Sequence, residues 1–354
     1  MTRAEILREK IADFADGILL TDEISQYYIS GFRFTDGYVL LTKQNAYLLT
    51  DFRYIEAAKA LAPAGFTLLC PRGASLCEEM KSICRRDGVH ILAFEENRIS
   101  FAAHEELCKA LDVIGVSARH TVERMRACKD KSEIDCIKKA QAITDLAFTH
   151  ILKTLTPQMT EIEVALELEY FMRKNGGEEK SFDTIAVSGA ASSMPHGVPQ
   201  NRKLSAGFLT MDFGCTVAGY HSDMTRTVCL GKATPEMKRI YSTVRRAQQS
   251  AIEGAKVGMK CAAIDAIARE IIEDAGYHGA FGHSLGHSVG LEIHESPNFA
   301  PRSADFFQSG NVVTVEPGIY LSGVCGCRIE DMICAEGETV VDLTASDKDL
   351  LELF

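Results

Sequence analysis

Short apolar runs and helical spacings take turns through about the first 120 residues of the chain. Residues 17–20 read as a strand, and 38–42 with 46–50 as a hairpin over a polar turn. A helix over about 53–61 follows, then a strand at 66–70, a helix at 75–86, a strand at 90–94, a helix at 101–111 and a strand at 113–116. Strands alternating with helices predict an α/β sheet domain. Ahead of them, residues 1–14 set Ile6, Leu7 and Ile11 among regularly spaced charges. That pattern predicts an amphipathic helix and lacks the apolar centre of a signal peptide.

The texture then changes. Over 131–155, Ile134, Ile137, Ala140, Phe148, Ile151 and Leu155 share one helical face. Thr160 and Glu163 fit a capping box that opens a second helix, to about Lys174, with Asn175-Gly176-Gly177 as its stop. Thr234-Pro235-Glu236 opens a third helix, and a fourth spans about 262–275 before Gly276. Between 121 and 131 charged residues dominate and no apolar period is sustained, so the domain boundary is placed there, dividing the chain into 1–122 and 123–354.

Composition narrows the function classes. A length of 354 residues suits two domains of ~100–200 residues each. The 46% hydrophobic and 25% charged content is that of an ordinary globular protein. A net charge of -11 argues against nucleic acid as a partner, because neutralising phosphates needs clustered Lys and Arg. No apolar stretch reaches the ~18 residues of a membrane span, so no membrane partner is expected and the cytoplasm is the expected location. The 12 cysteines include no CxxC pair and read as buried, reduced thiols; Cys325 and Cys327 are the one close pair.

Five acidic or histidine positions in the second half stand out. Asp212 and Asp223 lie in two strand-like runs that flank residues 216–219. A turn centred between Val217 and Ala218 predicts Asp212 directly opposite Asp223, with Cβ atoms ~4.5–5.5 Å apart. Two carboxylates that close repel unless a proton or a cation intervenes; unrelated strand-end acids are the simpler alternative. His283, His287 and His294 crowd a run in which Gly282, Gly286 and Gly290 disfavour a helix, so a loop feeding a strand is expected. Glu316 ends an apolar run before Pro317-Gly318. Glu330 sits between apolar neighbours, with Arg328 on its face of a strand; a structural Arg328–Glu330 ion pair is the alternative there. Asp212, Asp223, His287, Glu316 and Glu330 together make an oxygen-rich set. It suits two divalent ions such as manganese or cobalt better than a thiolate zinc site. Two such ions can share a hydroxide and clamp a carbonyl oxygen.

The order of these motifs resembles the pita-bread metallopeptidases, the family of methionine aminopeptidase, aminopeptidase P, prolidase and creatinase. The match runs through Ser181-Phe182-Asp183-Thr184-Ile185, Pro195-His196-Gly197, Met211-Asp212-Phe213-Gly214, His221-Ser222-Asp223-Met224-Thr225-Arg226-Thr227, residues 282–297, Val315-Glu316-Pro317-Gly318 and Arg328-Ile329-Glu330-Asp331. Thr50-Asp51-Phe52-Arg53-Tyr54 looks like part of a creatinase-type N-terminal domain. The resemblance implies an N-terminal α/β domain followed by helices around a curved antiparallel sheet. It implies that Asp212 holds one metal through both oxygens, that Asp223 and Glu330 bridge two metals, and that His287 and Glu316 complete the second. Glu316 would also handle the proton of the bridging water. His196 and His294 would contact substrate, His283 would be a further active-site histidine, and Arg328 would orient Glu330 from behind.

The large N-terminal domain separates this chain from methionine aminopeptidase, and the filled ligand positions separate it from creatinase. The resemblance therefore implies an Xaa-Pro aminopeptidase, with an Xaa-Pro dipeptidase as the alternative. A non-catalytic binding protein of the same fold would be expected to have lost ligands. Proline-containing peptides are the expected substrates, two manganese ions the expected cofactors (cobalt or zinc as substitutes), and a homodimer the expected assembly. The chain has no tryptophan, so any aromatic wall for the proline ring must come from Phe or Tyr.

Overall fold

The structure is a computed structural model and describes residues 1–61, 64–71 and 75–354. The chain divides into two compact units, Met1–Met125 and Arg126–Phe354. Among the described residues, unit 1 contains strands β1 (Gly17–Leu20), β2 (Gly37–Thr42), β3 (Ala46–Thr50), β4 (Phe66–Leu69), β5 (Ile91–Phe94) and β6 (Ile114–Ser117). They form one sheet in the order β4-β3-β2-β1-β5-β6. β1–β2 and β2–β3 pair antiparallel, and the other pairs are parallel. β1 and β3 are buried along their whole length, which is why they read as unbroken apolar runs rather than alternations.

The helices of unit 1 are α1 (Arg3–Ile11), α2 (Glu23–Ser30), α3 (Ile55–Leu61), α4 (Leu76–Asp87), α5 (Phe101–Leu111) and α6 (Thr121–Ala127), the last running across the boundary into unit 2. Apolar period does not announce α2, because its buried face is polar. Ser25 and Gln26 are both 1% exposed, and Gln26 Nε2 donates to the carbonyls of Leu20 and Gly37. Asp22 caps its start and Gly31, at φ 64°, ends it. α6 occupies the charged stretch where no periodic element is expected from sequence. Its inward side mixes Val122 (0% exposed) with Arg126 (3%), which hides the period.

Unit 2 carries helices α7 (Lys131–Thr154), α8 (Glu161–Lys174), α9 (Pro235–Gly254) and α10 (Cys261–Asp274). Capping boxes Asp130/Glu133 and Thr160/Glu163 start the first two, and Thr234 with Pro235 starts the third. Its longer strands are β7 (Ile185–Ser188) and β8 (Gly207–Phe213), then, past the two-residue strands β9 (Thr216–Val217) and β10 (Tyr220–His221), β11 (Met224–Leu230). Next come β12 (Gly286–Ser288), β13 (Glu295–Phe299), β14 (Val312–Val315), β15 (Gly318–Leu321), β16 (Cys325–Arg328), β17 (Asp331–Glu336), β18 (Thr339–Asp342) and β19 (Glu352–Leu353). One sheet runs β19-β11-β8-β7 and another β13-β12-β14-β17-β18, while β15 and β16 form a separate ribbon. One apolar cluster packs α7 and α8 onto β8 and β11. A second packs α9 and α10 onto β14 to β17. Helices thus back two sheets that are antiparallel apart from the parallel β11–β19 pair, and helices packed on antiparallel sheet are what the resemblance implies. Cys325 and Cys327 belong to the second cluster and take no part in the site described below.

Candidate active site

The five candidate ligands stand in or beside strands, whereas His196 lies in a turn and His283 in the loop before β12. Asp212 lies near the end of β8, and its partner across the sheet is Thr225. The expected pairing with Asp223 is therefore wrong by two residues. The turn falls at Ala218-Gly219, both with positive φ (50° and 76°), and closes the ribbon Tyr220↔Val217. A tight two-residue turn needs just such φ values, and alanine rarely supplies one. Asp223 reaches the same cavity from the bend before β11. His287 sits in β12, between β13 and β14, and Glu316 directly follows β14.

Glu330 also departs from expectation. It is not in a strand but in the break between β16 and β17, so the period of two does not put it beside Arg328. Arg328 instead donates Nη2 to Asp212 Oδ2 at 2.5 Å. It reaches Glu330 through a residue missed from sequence: Nε donates to Thr225 Oγ1 (2.9 Å), which donates to Glu330 Oε2 (2.7 Å). Arg328 Nη1 also donates to the Tyr320 hydroxyl (2.8 Å), which lies 3.0 Å from His283 Nε2. Thr314 is a third unforeseen member. Its Oγ1 accepts from the His287 backbone N–H and donates to Glu316 Oε1, both at 3.0 Å. Hydroxyls in apolar strands carry little sequence signal. Tyr320 had one: β15 pairs Gly318 with Arg328, so Tyr320 lies two residues along from the arginine's partner.

A cavity of about 670 Å³ collects the set. Asp212, Asp223, His287, Glu316 and Glu330 line it, and so do His196, His283, His294 and Arg328. His287 Nε2 lies 3.6 Å from Asp223 Oδ2 and 3.4 Å from Glu316 Oε1. Asp223, His287 and Glu330 each offer a ligand atom within 4.8 Å of the others. His294 packs edge-on against His287, ring centroids 4.3 Å apart.

The electrostatics are those of crowded anions. Burial, reinforced by Glu330, Asp212 and Glu316, pushes the Asp223 carboxyl well above its ordinary range. Burial, with Glu316 and Asp212, does the same to Glu330. Burial raises Glu316 to about 7 although Arg328 pulls against it. Burial lowers His287 and His294, and takes His283 down to about 4. Burial would also lower Arg328, but Tyr320, Asp212, Glu316 and Glu330 hold it above its usual value.

One observation tests whether divalent ions fit here. Among the described residues, Asp212 Oδ1, Asp223 Oδ1 and Glu330 Oε1 are buried oxygens without a hydrogen-bond partner. Leaving such acceptors bare inside a protein is costly. Hard cations are the chemistry that oxygens of this kind satisfy, and they would cancel the mutual repulsion. The residues fit the ions.

Comparison with known proteins agrees. Residues 135–336 match the model of metallopeptidase family M24, and residues 3–128 match the creatinase/prolidase N-terminal domain. The chain belongs to metallopeptidase family M24. It is therefore a metallopeptidase-family hydrolase of the pita-bread fold. An Xaa-Pro dipeptidase of Pyrococcus furiosus is 41% identical over 231 residues, 65% of this chain and 66% of that one. An Xaa-Pro dipeptidase structure from Bacillus anthracis superposes with a TM-score of 0.95 at 40% identity, covering 99% of this chain and 100% of the other. An X-Pro aminopeptidase structure from Thermotoga maritima follows at 0.92 and 34%, with the same coverage. Among the described residues of this M24 protein, no helix is long and apolar enough to cross a membrane.

Proposed function

We propose that this M24 enzyme is a dimetal Xaa-Pro dipeptidase. The reading reverses the order suggested by the sequence, which put the aminopeptidase first. The likeness to relatives named as Xaa-Pro dipeptidases favours the dipeptide-restricted alternative. The observation that carries the metal chemistry is the group of partnerless carboxylate oxygens on Asp212, Asp223 and Glu330 around His287. Asp212, Asp223, His287, Glu316 and Glu330 would hold two ions, manganese before cobalt or zinc. When bound, such ions polarise a carbonyl and make water acidic enough to supply hydroxide near neutral pH.

The protein's own groups do the rest. Glu316, half-buried beside Thr314, is the carboxylate placed to take up a proton during the reaction. Arg328 keeps Asp212 in place and, through Thr225, Glu330. His283, steadied by Tyr320, stays neutral, while His196 and His294 face the substrate space. Phe182, Ile185, Val198 and Ile293 supply apolar lining for a proline ring, with Phe182 as the aromatic member. A bond preceding proline has no N–H, so the site needs no acceptor for one. The same reading takes the protein to be cytoplasmic, in keeping with its free cysteines, and homodimeric.

The test compares hydrolysis of Xaa-Pro and Xaa-Pro-Xaa with manganese present. Turnover of the dipeptide alone is expected. Comparable turnover of the tripeptide would restore the aminopeptidase reading.

A further inference from the structure

His287 and His294 stand on a segment that is irregular on its own. β12 pairs with β13 through His287↔Asn298 and then Ser288↔Glu295, so the register jumps between His287 and Ser288. A bulge of this kind re-aims side chains and leaves the local ladder weak. The His287 ring leans on the Ser288 carbonyl, 3.3 Å from its Nδ1, so where Ser288 is held matters for both rings, whose centroids lie 4.3 Å apart.

Behind the bulge lies a buried ion cluster. Lys129 Nζ, on a side chain 1% exposed, donates to Ser288 Oγ and to Glu295 Oε2, both at 3.0 Å. Ser288 directly follows His287, and Glu295 directly follows His294. His287 and His294 line the cavity, while Ser288 and Glu295 bind the lysine. The lysine therefore grips the two positions whose neighbours present imidazoles to the cavity.

The grip is reinforced from every side. Ser288 Oγ donates to the Val312 carbonyl at 2.8 Å. Glu295 Oε1 accepts from Arg126 Nη2 at 2.5 Å and from the Glu292 backbone N–H at 3.1 Å. Arg126 also binds Glu292 at 2.8 Å, so two cations face two acids and the cluster balances without any metal. A Cβ at Gly290 would lie 2.5 Å from Glu295 Oε1, so glycine there lets the carboxylate tuck under the turn. The backbone of Lys129 is pinned as well, its N–H donating to the Gly310 carbonyl at 2.8 Å.

We propose that Lys129 is a positioning residue for the active site. Its buried ammonium ties the residue after His287 to the residue after His294 and so sets where both imidazoles stand. The inference rests on the metal-site reading only where metal affinity is concerned. His283 supplies the internal control, because its ring is held separately by the Ser284 carbonyl (2.8 Å) and the Tyr320 hydroxyl (3.0 Å).

The experiment uses the full chain carrying Lys129→Met, which leaves Glu295 paired with Arg126. Histidine ring signals are recorded by NMR on metal-free protein, and manganese affinity is measured by calorimetry. The His287 and His294 signals are expected to move while His283 stays, with manganese binding about 10–100-fold weaker. Unchanged signals and affinity would overturn the proposal, as would equal displacement of all three histidines, the mark of general loosening. If Lys129→Met does not fold, Ser288→Ala removes one anchor without stranding a charge. It is expected to give the same pattern at smaller amplitude, and no pattern at all would overturn the proposal. Failure of the unaltered protein to bind manganese would count against the proposed metal site, while the ring signals would still decide the clamp.

Discussion

Glu330 and Asp331 are neighbours in sequence, both at most 1% exposed, and their environments are opposite. Asp331 faces the helix side, where Arg226 Nη2 and Gln248 Nε2 each donate to it at 2.7 Å and Lys348 adds a third bond. Against the upward push of burial, Arg226 and Lys348 hold its carboxyl below the ordinary range. Glu330 faces the cavity, where Thr225 binds one oxygen and the other has no partner. Burial and its acidic neighbours push it the other way. An acid that serves the fold is surrounded by the protein's own cations. An acid that serves the site is left open for cations from outside.

The largest expected effects come from exchanging these two outcomes. Asp331→Asn strands the buried Arg226 charge and leaves Lys348 with Asp342 alone, and denaturant unfolding should show a loss of about 3–5 kcal/mol. Glu330→Gln should cost more than about 100-fold in dipeptide turnover, yet leave metal-free stability equal or higher. A destabilised Glu330→Gln protein would break the contrast.

Metal removal comes next. Ions at about 100 times their dissociation constant stabilise a fold by roughly 2.7 kcal/mol, so chelation should lower the melting temperature by a corresponding step. The loss should also depend on pH. Glu316 is raised to about 7 in the native chain against an ordinary 4.5. The native state then binds more protons across that window, so metal-free stability should fall as pH rises through it. Asp331 carries the opposite sign: its contribution is present at neutral pH and is lost on acidification below its ordinary value of 3.8. A metal-free protein with flat stability between those limits would refute the account of crowded acids.

Glu95 in unit 1 sharpens the rule by departing from it. It is 2% exposed, its Oε1 accepts from the Ser25 hydroxyl (2.5 Å), and its Oε2 has no hydrogen-bond partner among the described residues. Burial, with Asp22 and Glu123, raises it to about 8 from 4.5. Stability should therefore decline as pH climbs through that range. Glu95→Gln should remove the slope and add roughly 2 kcal/mol at its alkaline end, as thermal unfolding across pH would record. The smallest expected effect is Thr225→Val, which cuts the link from Arg328 to Glu330. About tenfold weaker manganese binding is expected in calorimetry, and an unchanged affinity would mean that Glu330 needs no such support.

Legibility followed the range of the interaction. Strands β1 and β3, the capping box Thr160/Glu163 and the stop at Asn175-Gly176 depend on neighbours a few residues away, and they could be read directly. The nine candidate residues were proposed because their motifs resemble a family, and all nine line one cavity. The hairpin register was not legible, since nothing local announces that Ala218 adopts φ 50°. Helix α6 was read as a charged boundary because the partners of Arg126, Glu292 and Glu295, lie 166 and 169 residues further along.

The sequence by itself determined the element types, the family and the inventory of acids and histidines, because apolar period, caps and motif order are all local. Tertiary structure decided what each charge does. It set Arg328 on Asp212 rather than Glu330, gave Asp331 its cations and withheld them from Glu330, and buried Lys129 behind the histidines. The physical reason is that a buried charge takes its meaning from partners within a few ångströms. In this chain many of those partners come together only when elements distant in sequence meet, as Gln248 on α9 meets Asp331 across 83 residues and Arg328 meets Asp212 across 116.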